Sequence, residues 1–278
     1  MNCPLCQYEH TDLFAQYENH ALMQCSRCDL IYQTEQEQLD LPALVDGIYN
    51  VEWIQMRAAY AESTFLDHAL FNTLLLDIMG QRKGTLLEIG SGTGEFALTA
   101  GNAGWQVTGI EPSSISCLYA KEKYGVTLRN GMWDPVICRD LEPFDAIAFW
   151  HVLEHIRDPL DFLTGLRDYI KPGGMLYFSI PNKNSFTNET YGPASPLYTE
   201  RDHLYHYSSR SLRLTLGLAG YSVVSLFSRQ LPHNLDPLIH AHPGYGHHSF
   251  ENKAALLTKL QAQLRGHELC CVARIADS

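Results

Sequence analysis

Apolar and polar positions change rhythm three times along this 278-residue chain. Residues 1–34 form a compact block: a Cys-x-x-Cys pair, a polar stretch, a second pair, then the apolar Leu30, Ile31 and Tyr32. Gln33 to Asp40 is polar and reads as a connection. From Pro42 to Met79 apolar residues recur at helical spacing (Tyr60, Phe65, Leu66, Leu70, Leu74, Ile78), which predicts two or three helices ended by Gly80 and Gly84. Beyond Gly84 short apolar runs alternate with helical patterns. Strands are predicted at 85–89, 106–110, 126–129, 144–149 and 175–180. Helices are predicted from the glycine cluster at 90–94 to about Ala103, over 113–124 and over 158–170. Such alternation implies a parallel sheet with helices on both faces. Residues 182–207, rich in Pro, Asn, Tyr and His, read as a long loop. A helix (209–219), a strand (221–227), a helix (250–265) and a last strand (269–275) follow.

Composition is that of a globular protein with a core: 45% hydrophobic and 18% charged. No apolar stretch approaches the ~20 residues of a membrane span. The first residues carry neither a basic region nor an apolar run, which predicts no signal peptide and a cytoplasmic protein. The net charge of −11 argues against nucleic acid, because phosphate binding needs clustered Lys and Arg. A small-molecule substrate fits better.

Four of the eight cysteines, Cys3, Cys6, Cys25 and Cys28, sit as two Cys-x-x-Cys pairs near one end. Four thiolates close a tetrahedron and leave no place for water, so the expected ion is a structural Zn2+; a rubredoxin-like iron site uses the same ligand set. Residues 1–35 hold one basic residue, Arg27, against five acidic ones (Glu9, Asp12, Glu18, Asp29, Glu35). That surface repels phosphate, so the block is expected to brace the helices after it or shape a substrate pocket.

The glycine cluster Gly90-Ser91-Gly92-Thr93-Gly94 stands where a strand gives way to a helix, with Glu88 just before it and Glu111 about twenty residues on. Glycines there let bare backbone approach a ligand, and an acid at the end of the second strand suits the two hydroxyls of a ribose. Glu88 would repel a pyrophosphate but suits an amino group. The expected cofactor is therefore a phosphate-free nucleoside bearing an amino acid, S-adenosylmethionine.

With these residues in place, 84–182 resembles class I S-adenosylmethionine-dependent methyltransferases, in particular the ubiquinone-biosynthesis O-methyltransferase branch. The resemblance rests on four ordered stretches: Leu86 to Gly94, Val107 to Ser113, Phe144 to Ile156, and Lys171-Pro172-Gly173-Gly174 with Ile180-Pro181-Asn182. It implies an α/β fold with a doubly wound, mostly parallel seven-stranded sheet. To this the chain adds a zinc ribbon (1–34) and a helical linker or lid (35–83) before the methyltransferase domain (84–278). It also implies that Gly90, Ser91 and Gly92 line the methionine end, beside the amino-group partner Glu88, that Glu111 binds the ribose and Pro112 contacts the adenine, with Trp150 and His151 bordering the cofactor. The family's acid after the third strand is absent; Asn130, Gly131 and Met132 stand in that stretch.

A hydroxyl acceptor needs a base, and His suits neutral pH. His203 is the first choice, with His206 and His151 as alternatives, and His155 is read as structural. Tyr49, Trp53 and Arg57, at helical spacing, are read mainly as packing that could close over a carboxylate. Residues 228–266 read as an insertion that caps the pocket or builds a homodimer contact; its His233, His240, His242, His247 and His248 suggest a loop more than a metal site. The function expected is methyl transfer to a small-molecule hydroxyl. An RNA methyltransferase guided by the ribbon and a sugar C-methyltransferase are the alternatives.

Overall fold

The computed structural model describes residues 2–34, 36, 39–79, 82–230, 235–242 and 249–276. In chain order the elements are β1 (Thr11–Gln16), β2 (Ala21–Cys25), β3 (Ile31–Gln33), α1 (Leu41–Ile48), α2 (Val51–Ala59), α3 (Leu66–Ile78), β4 (Thr85–Ile89), α4 (Glu95–Asn102), β5 (Gln106–Glu111), α5 (Ser114–Tyr124), β6 (Arg129–Asn130) and α6 (Pro135–Cys138). There follow β7 (Phe144–Trp150), α7 (Pro159–Leu166), β8 (Ile170–Pro181), α8 (Phe186–Tyr191), α9 (Pro196–Thr199), β9 (Tyr205–His206), α10 (Ser209–Leu218), β10 (Tyr221–Arg229), α11 (Leu235–Ala241), α12 (Phe250–Ala262) and β11 (Glu268–Ile275). The strands form a seven-stranded sheet, ordered β10-β11-β8-β7-β4-β5-β6, and a four-stranded sheet, ordered β1-β2-β3-β9. The fold is thus the expected α/β architecture on a seven-stranded sheet.

By internal packing the chain divides into two compact units. The first comprises Leu39–Val152 and Gly165–Tyr177. Within it β4 pairs in parallel with β5 and with β7, and β5 with β6. Leu86, Leu87, Ile89, Ala146, Ile147, Ala148 and Phe149 are all buried, the near-continuous apolar run of strands covered on both faces. Cap chemistry sets the helices. Ser113 accepts from the Ser116 backbone to start α5, and Gly125, at φ +71°, ends it. Val126 then donates to the Ala120 carbonyl, closing the helix end, so the strand expected over 126–129 shrinks to the two residues of β6. α2 and α3 are joined by a single π-helical stretch, Ala61–Phe65.

The second unit comprises Met1–Gln38, Leu153–Thr164 and Phe178–Ser278. β1, β2 and β3 form an antiparallel meander, and β9 adds to its edge with Ile31 opposite His206 and Tyr32 opposite Tyr205. β10 and β11 pair antiparallel. The stretch 182–207, expected as a loop, folds into α8, α9 and β9. Ser185 and Ser195 cap the two short helices, and Pro196 supplies a preset φ at the first position of α9. Helix α10 begins with a reciprocal cap between Ser208 and Ser211. Of the segment 228–266, α11 and α12 bury Leu235, Leu238, Ile239, Leu256 and Leu260 against Phe186.

Candidate active site

The glycine turn is built by backbone that only glycine adopts without strain. Gly90, Gly92 and Gly94 have φ of +72°, +53° and +87°. The amides of Gly90 and Ser91 both donate to the Ile110 carbonyl, at 2.9 and 3.1 Å. A Cβ on Gly90 would lie 2.6 Å from Val152 Cγ2. Gly109 serves the same turn from β5, since a Cβ there would meet Ser91 Oγ at 2.6 Å.

Three carboxylates and one guanidinium surround this turn, all buried or nearly so. Glu111 reaches back from the end of β5, accepting from Gly92 N at 2.7 Å and from Ser113 N at 2.8 Å. Each of its oxygens keeps a second lone pair for a ligand hydroxyl. Glu88 is buried, and its Oε2 has no hydrogen-bond partner. Burial pushes the Glu88 carboxyl up to about 8, with the negative Glu95 and Glu111 adding to the rise. Burial likewise raises Glu111 to about 7, against its two backbone donors and Arg57. Arg57 of α2 donates to Thr93 Oγ1 at 2.8 Å and to Glu95 Oε2 at 3.0 Å. Its guanidinium lies 3.7 Å from the Phe65 ring centroid and 4.8 Å from that of Trp53. It would stand 3.8 Å from a Cβ on Gly92.

This clasp depends on α2 being held in place. Asn50 caps α2, and Ser113 Oγ donates to the Tyr49 carbonyl at 3.2 Å. Arg57 thus reaches the glycine turn through Thr93 and Glu95, a placement that helical spacing with Tyr49 and Trp53 does not reveal. The signal for Glu95 is an acid in the first turn of α4, opposed only across 38 residues by its cation.

The remaining expected cofactor residues lie on the same unit. Asn130 sits opposite Glu111 in the β5–β6 pair, and its amide donates to the Glu111 and Pro112 carbonyls at 3.1 and 2.9 Å. Gly131, at φ +150°, donates to the Glu111 carbonyl, and Met132 is exposed. Trp150 packs edge-on against Phe96, with ring centroids 5.1 Å apart, and its Nε1 has no hydrogen-bond partner. His151 follows at φ +54°, a strained conformation for a non-glycine residue, at the end of β7.

His155, His203, His206, His240 and His242 belong to the second unit. His203 is buried, with Nε2 2.9 Å from Glu200 Oε2 and Nδ1 3.3 Å from the Leu197 carbonyl. Burial opposes its charged form, but Glu200, Glu154 and Asp202 outweigh that and raise its pKa. His206, in β9, is fully buried; burial holds its pKa well below the usual value, and its Nε2 has no partner. His155 donates from Nδ1 to the Asp202 carbonyl, 2.9 Å away, and its ring lies 4.9 Å from that of His203. His240 contacts the Asp236 carbonyl and His242 stacks on Phe186. His233, His247 and His248 lie outside the described residues. No group of three candidate metal ligands among the described residues includes His240 or His242.

The four N-terminal cysteines converge. Their sulfurs all lie within 4.8 Å of one another, with Cys3–Cys28 and Cys6–Cys25 both at 3.6 Å. Two matching knuckles bring them there. Cys3 and Cys25 each donate to the carbonyl five residues on, and each accepts from the amide four residues on. That fourth residue, Gln7 or Asp29, has a positive φ of 57° or 68°. A tetrahedron with Zn–S bonds of about 2.3 Å has S···S edges of about 3.8 Å, so the donor set fits such an ion.

Comparison with known proteins accords with this geometry. A family model described as a methyltransferase domain matches residues 58–226. The chain belongs to that family. A ubiquinone biosynthesis O-methyltransferase from Actinobacillus pleuropneumoniae is 31% identical over 129 residues, covering 41% of this chain and 55% of the relative. The Cereibacter sphaeroides protein of the same name is 34% identical over 104 residues, covering 36% and 42%. The chain thus spans about half the length of the curated relatives it matches. Among solved structures, an S-adenosylmethionine-dependent methyltransferase from Clostridium acetobutylicum aligns at a TM-score of 0.54 and 10% identity, over 81% of this chain and 99% of that one. A plantazolicin methyltransferase in complex with SAH aligns at 0.54 and 14% identity, over 87% and 97%. These likenesses show the fold of the methyltransferase family. Among the described residues no helix is long and apolar enough to cross a membrane.

Proposed function

We propose that this methyltransferase-family chain transfers a methyl group from S-adenosylmethionine to a hydroxyl oxygen of a small molecule. The observation that carries the reading is the buried acid cluster at the glycine turn: Glu88, Glu95 and Glu111 against the single Arg57, with burial raising Glu88 to about 8 and Glu111 to about 7. A pyrophosphate would find one cation already paired with Glu95, whereas a ligand carrying a sulfonium and an ammonium draws these carboxyls into their ionised form. The names of the relatives and the SAH-bound neighbour support the same cofactor and an oxygen acceptor.

When bound, S-adenosylmethionine supplies an electrophilic methyl group on a sulfonium. The residues of this chain hold and orient. Glu111 offers its free lone pairs to the ribose hydroxyls while its backbone bonds to Gly92 and Ser113 fix the carboxylate plane. Glu88 would face the ammonium, Arg57 the methionine carboxylate, and Pro112, Asn130, Gly131 and Met132 the adenine, while Trp150 and His151 would border the cofactor at the end of β7. In-line displacement depends on alignment, so this rigid cradle supplies much of the rate. His203 would act in its neutral form, after losing the Nε2 proton to solvent as the pH passes its raised pKa and with Nδ1–H held to the Leu197 carbonyl; Nε2 would then take the acceptor proton and the ionised Glu200 would stabilise the imidazolium. His206 and His151 are the alternative bases. Cys3, Cys6, Cys25 and Cys28 would hold a structural Zn2+, and that ion would brace the meander to whose edge β9 and His206 are paired.

Calorimetry with S-adenosylmethionine, its demethylated product and a dinucleotide tests the reading. Heat from the first two and none from the third is expected; the reverse pattern removes it.

A further inference from the structure

The helical periodicity between Pro42 and Met79 carries a surprise about which face is covered. Leu66, Leu70, Leu74 and Ile78 recur every fourth residue along α3 and are 40, 54, 52 and 68% exposed. The face turned inward is instead Ala69, Asn72, Thr73, Leu75 and Leu76. A continuous apolar row of this kind, on the order of 400 Å² on one helix, marks an interaction surface rather than ordinary exposed residues.

We propose that this row packs against the same row of a second copy of the chain, with the two α3 helices antiparallel. The spacing is self-complementary about the level of residue 72: Leu66 of one copy falls opposite Ile78 of the other, and Leu70 opposite Leu74. That is the residue matching an isologous two-fold contact requires. Side chains spaced by four form the ridges that interlock in the commonest class of helix packing. Charge selects the same orientation. Exposed Glu62 and Asp67 mark the N-terminal end of the row, while exposed Arg82 and Lys83 follow its C-terminal end against one acid, Asp77. Antiparallel pairing sets each acidic end beside a basic one and opposes the helix dipoles; parallel pairing sets like against like. A lipid surface is disfavoured, because Asp67 and Asp77 flank the row where an interfacial helix carries Lys and Arg. The row supplies about half of the ~800 Å² per partner found in stable interfaces, so the dimer is concentration-dependent, with a dissociation constant in the micromolar range.

Sedimentation equilibrium of the full chain from about 1 to 200 μM tests this. The expected result is a mass rising from one copy towards two, and a mass of one copy throughout for Leu70→Arg with Leu74→Arg at unchanged melting temperature. Asp67→Lys alone should weaken the dimer several-fold, and adding Lys83→Glu should restore it; this pair reads the interface even where the arginine variant fails to fold. A single-copy mass at every concentration, or a dimer indifferent to both sets of variants, overturns the proposal. So does binding of the monomer to phosphatidylglycerol vesicles that the arginine variant loses.

Discussion

Replacing Glu88 by Gln removes the ability of the most buried acid of the site to ionise and leaves its shape intact. In the unliganded protein burial holds this carboxyl at about 8, above its ordinary value of 4.5. A cationic ligand needs the ionised form. At pH 6, a group of pKa 8 is ionised in roughly one molecule in a hundred, so binding that requires the carboxylate weakens about a hundredfold relative to high pH. The ligand's own amine titrates near 8 as well, which makes the difference between wild type and Glu88→Gln the informative quantity. Titration calorimetry at pH 6, 7, 8 and 9, in two buffers of different ionisation heat, gives both affinity and protons released. Wild type should release a proton at pH 7 that the variant does not, and should gain affinity more steeply between pH 6 and 8. Stability runs the opposite way. Because the folded pKa lies above the unfolded one, the unfolded chain holds fewer protons between 4.5 and 8, and each pH unit there costs the unliganded fold about 1.4 kcal/mol. Glu88→Gln should therefore raise the melting temperature at pH 8 and change it little at pH 4.5. Equal pH slopes in both proteins, or tighter ligand binding by the variant at pH 8, would refute the argument.

Other expectations follow from the same geometry. Gly90→Ala forces a side chain into a left-handed position 2.6 Å from Val152 Cγ2, and should cost about 2–3 kcal/mol in thermal or urea unfolding, with Val152→Ala restoring part of it. His203→Gln should lower kcat by roughly 10²- to 10⁴-fold with cofactor affinity unchanged, and the wild-type rate should climb with pH as the raised His203 pKa is passed; a flat profile argues for His206, which burial keeps neutral. Cys25→Ser should reduce bound zinc from one equivalent to none by elemental analysis, and should raise hydrogen exchange at Tyr205 and His206 together with β3; exchange that stays unchanged separates the metal from β9. Arg57→Met should weaken cofactor binding by more than tenfold while sparing the β4–β5 core, measured by calorimetry beside a melting curve.

Local chemistry explains what was readable along the chain. Continuous apolar runs announced β4 and β7, because a strand covered on both faces has no polar side to show. The alternation of strand and helix announced the parallel sheet. Cys-x-x-Cys spacing announced two knuckles, since a tight turn of four residues is a local object. Less was readable where long-range pairing decides. The 182–207 stretch looked like a loop because its helices are one to two turns long and rest on the caps Ser185 and Ser195 rather than on periodicity. β9 is two residues long and exists only because β3 presents an edge to it.

Local sequence dictates the sheet type, the glycine turn with its two flanking acids, and the four thiols, each through contacts a few residues apart or a strong apolar run. Tertiary structure alone decided that Arg57 closes on Thr93 and Glu95 and that His203 meets Glu200 while His206 lies unpartnered at Nε2. It also decided that the regular apolar row of α3 faces outward. Periodicity specifies that a helix has an apolar stripe, but which stripe is buried depends on the neighbour that arrives, and for α3 the small and polar face, with Ala69, Asn72 and Thr73, is the one that lets α4 approach closely.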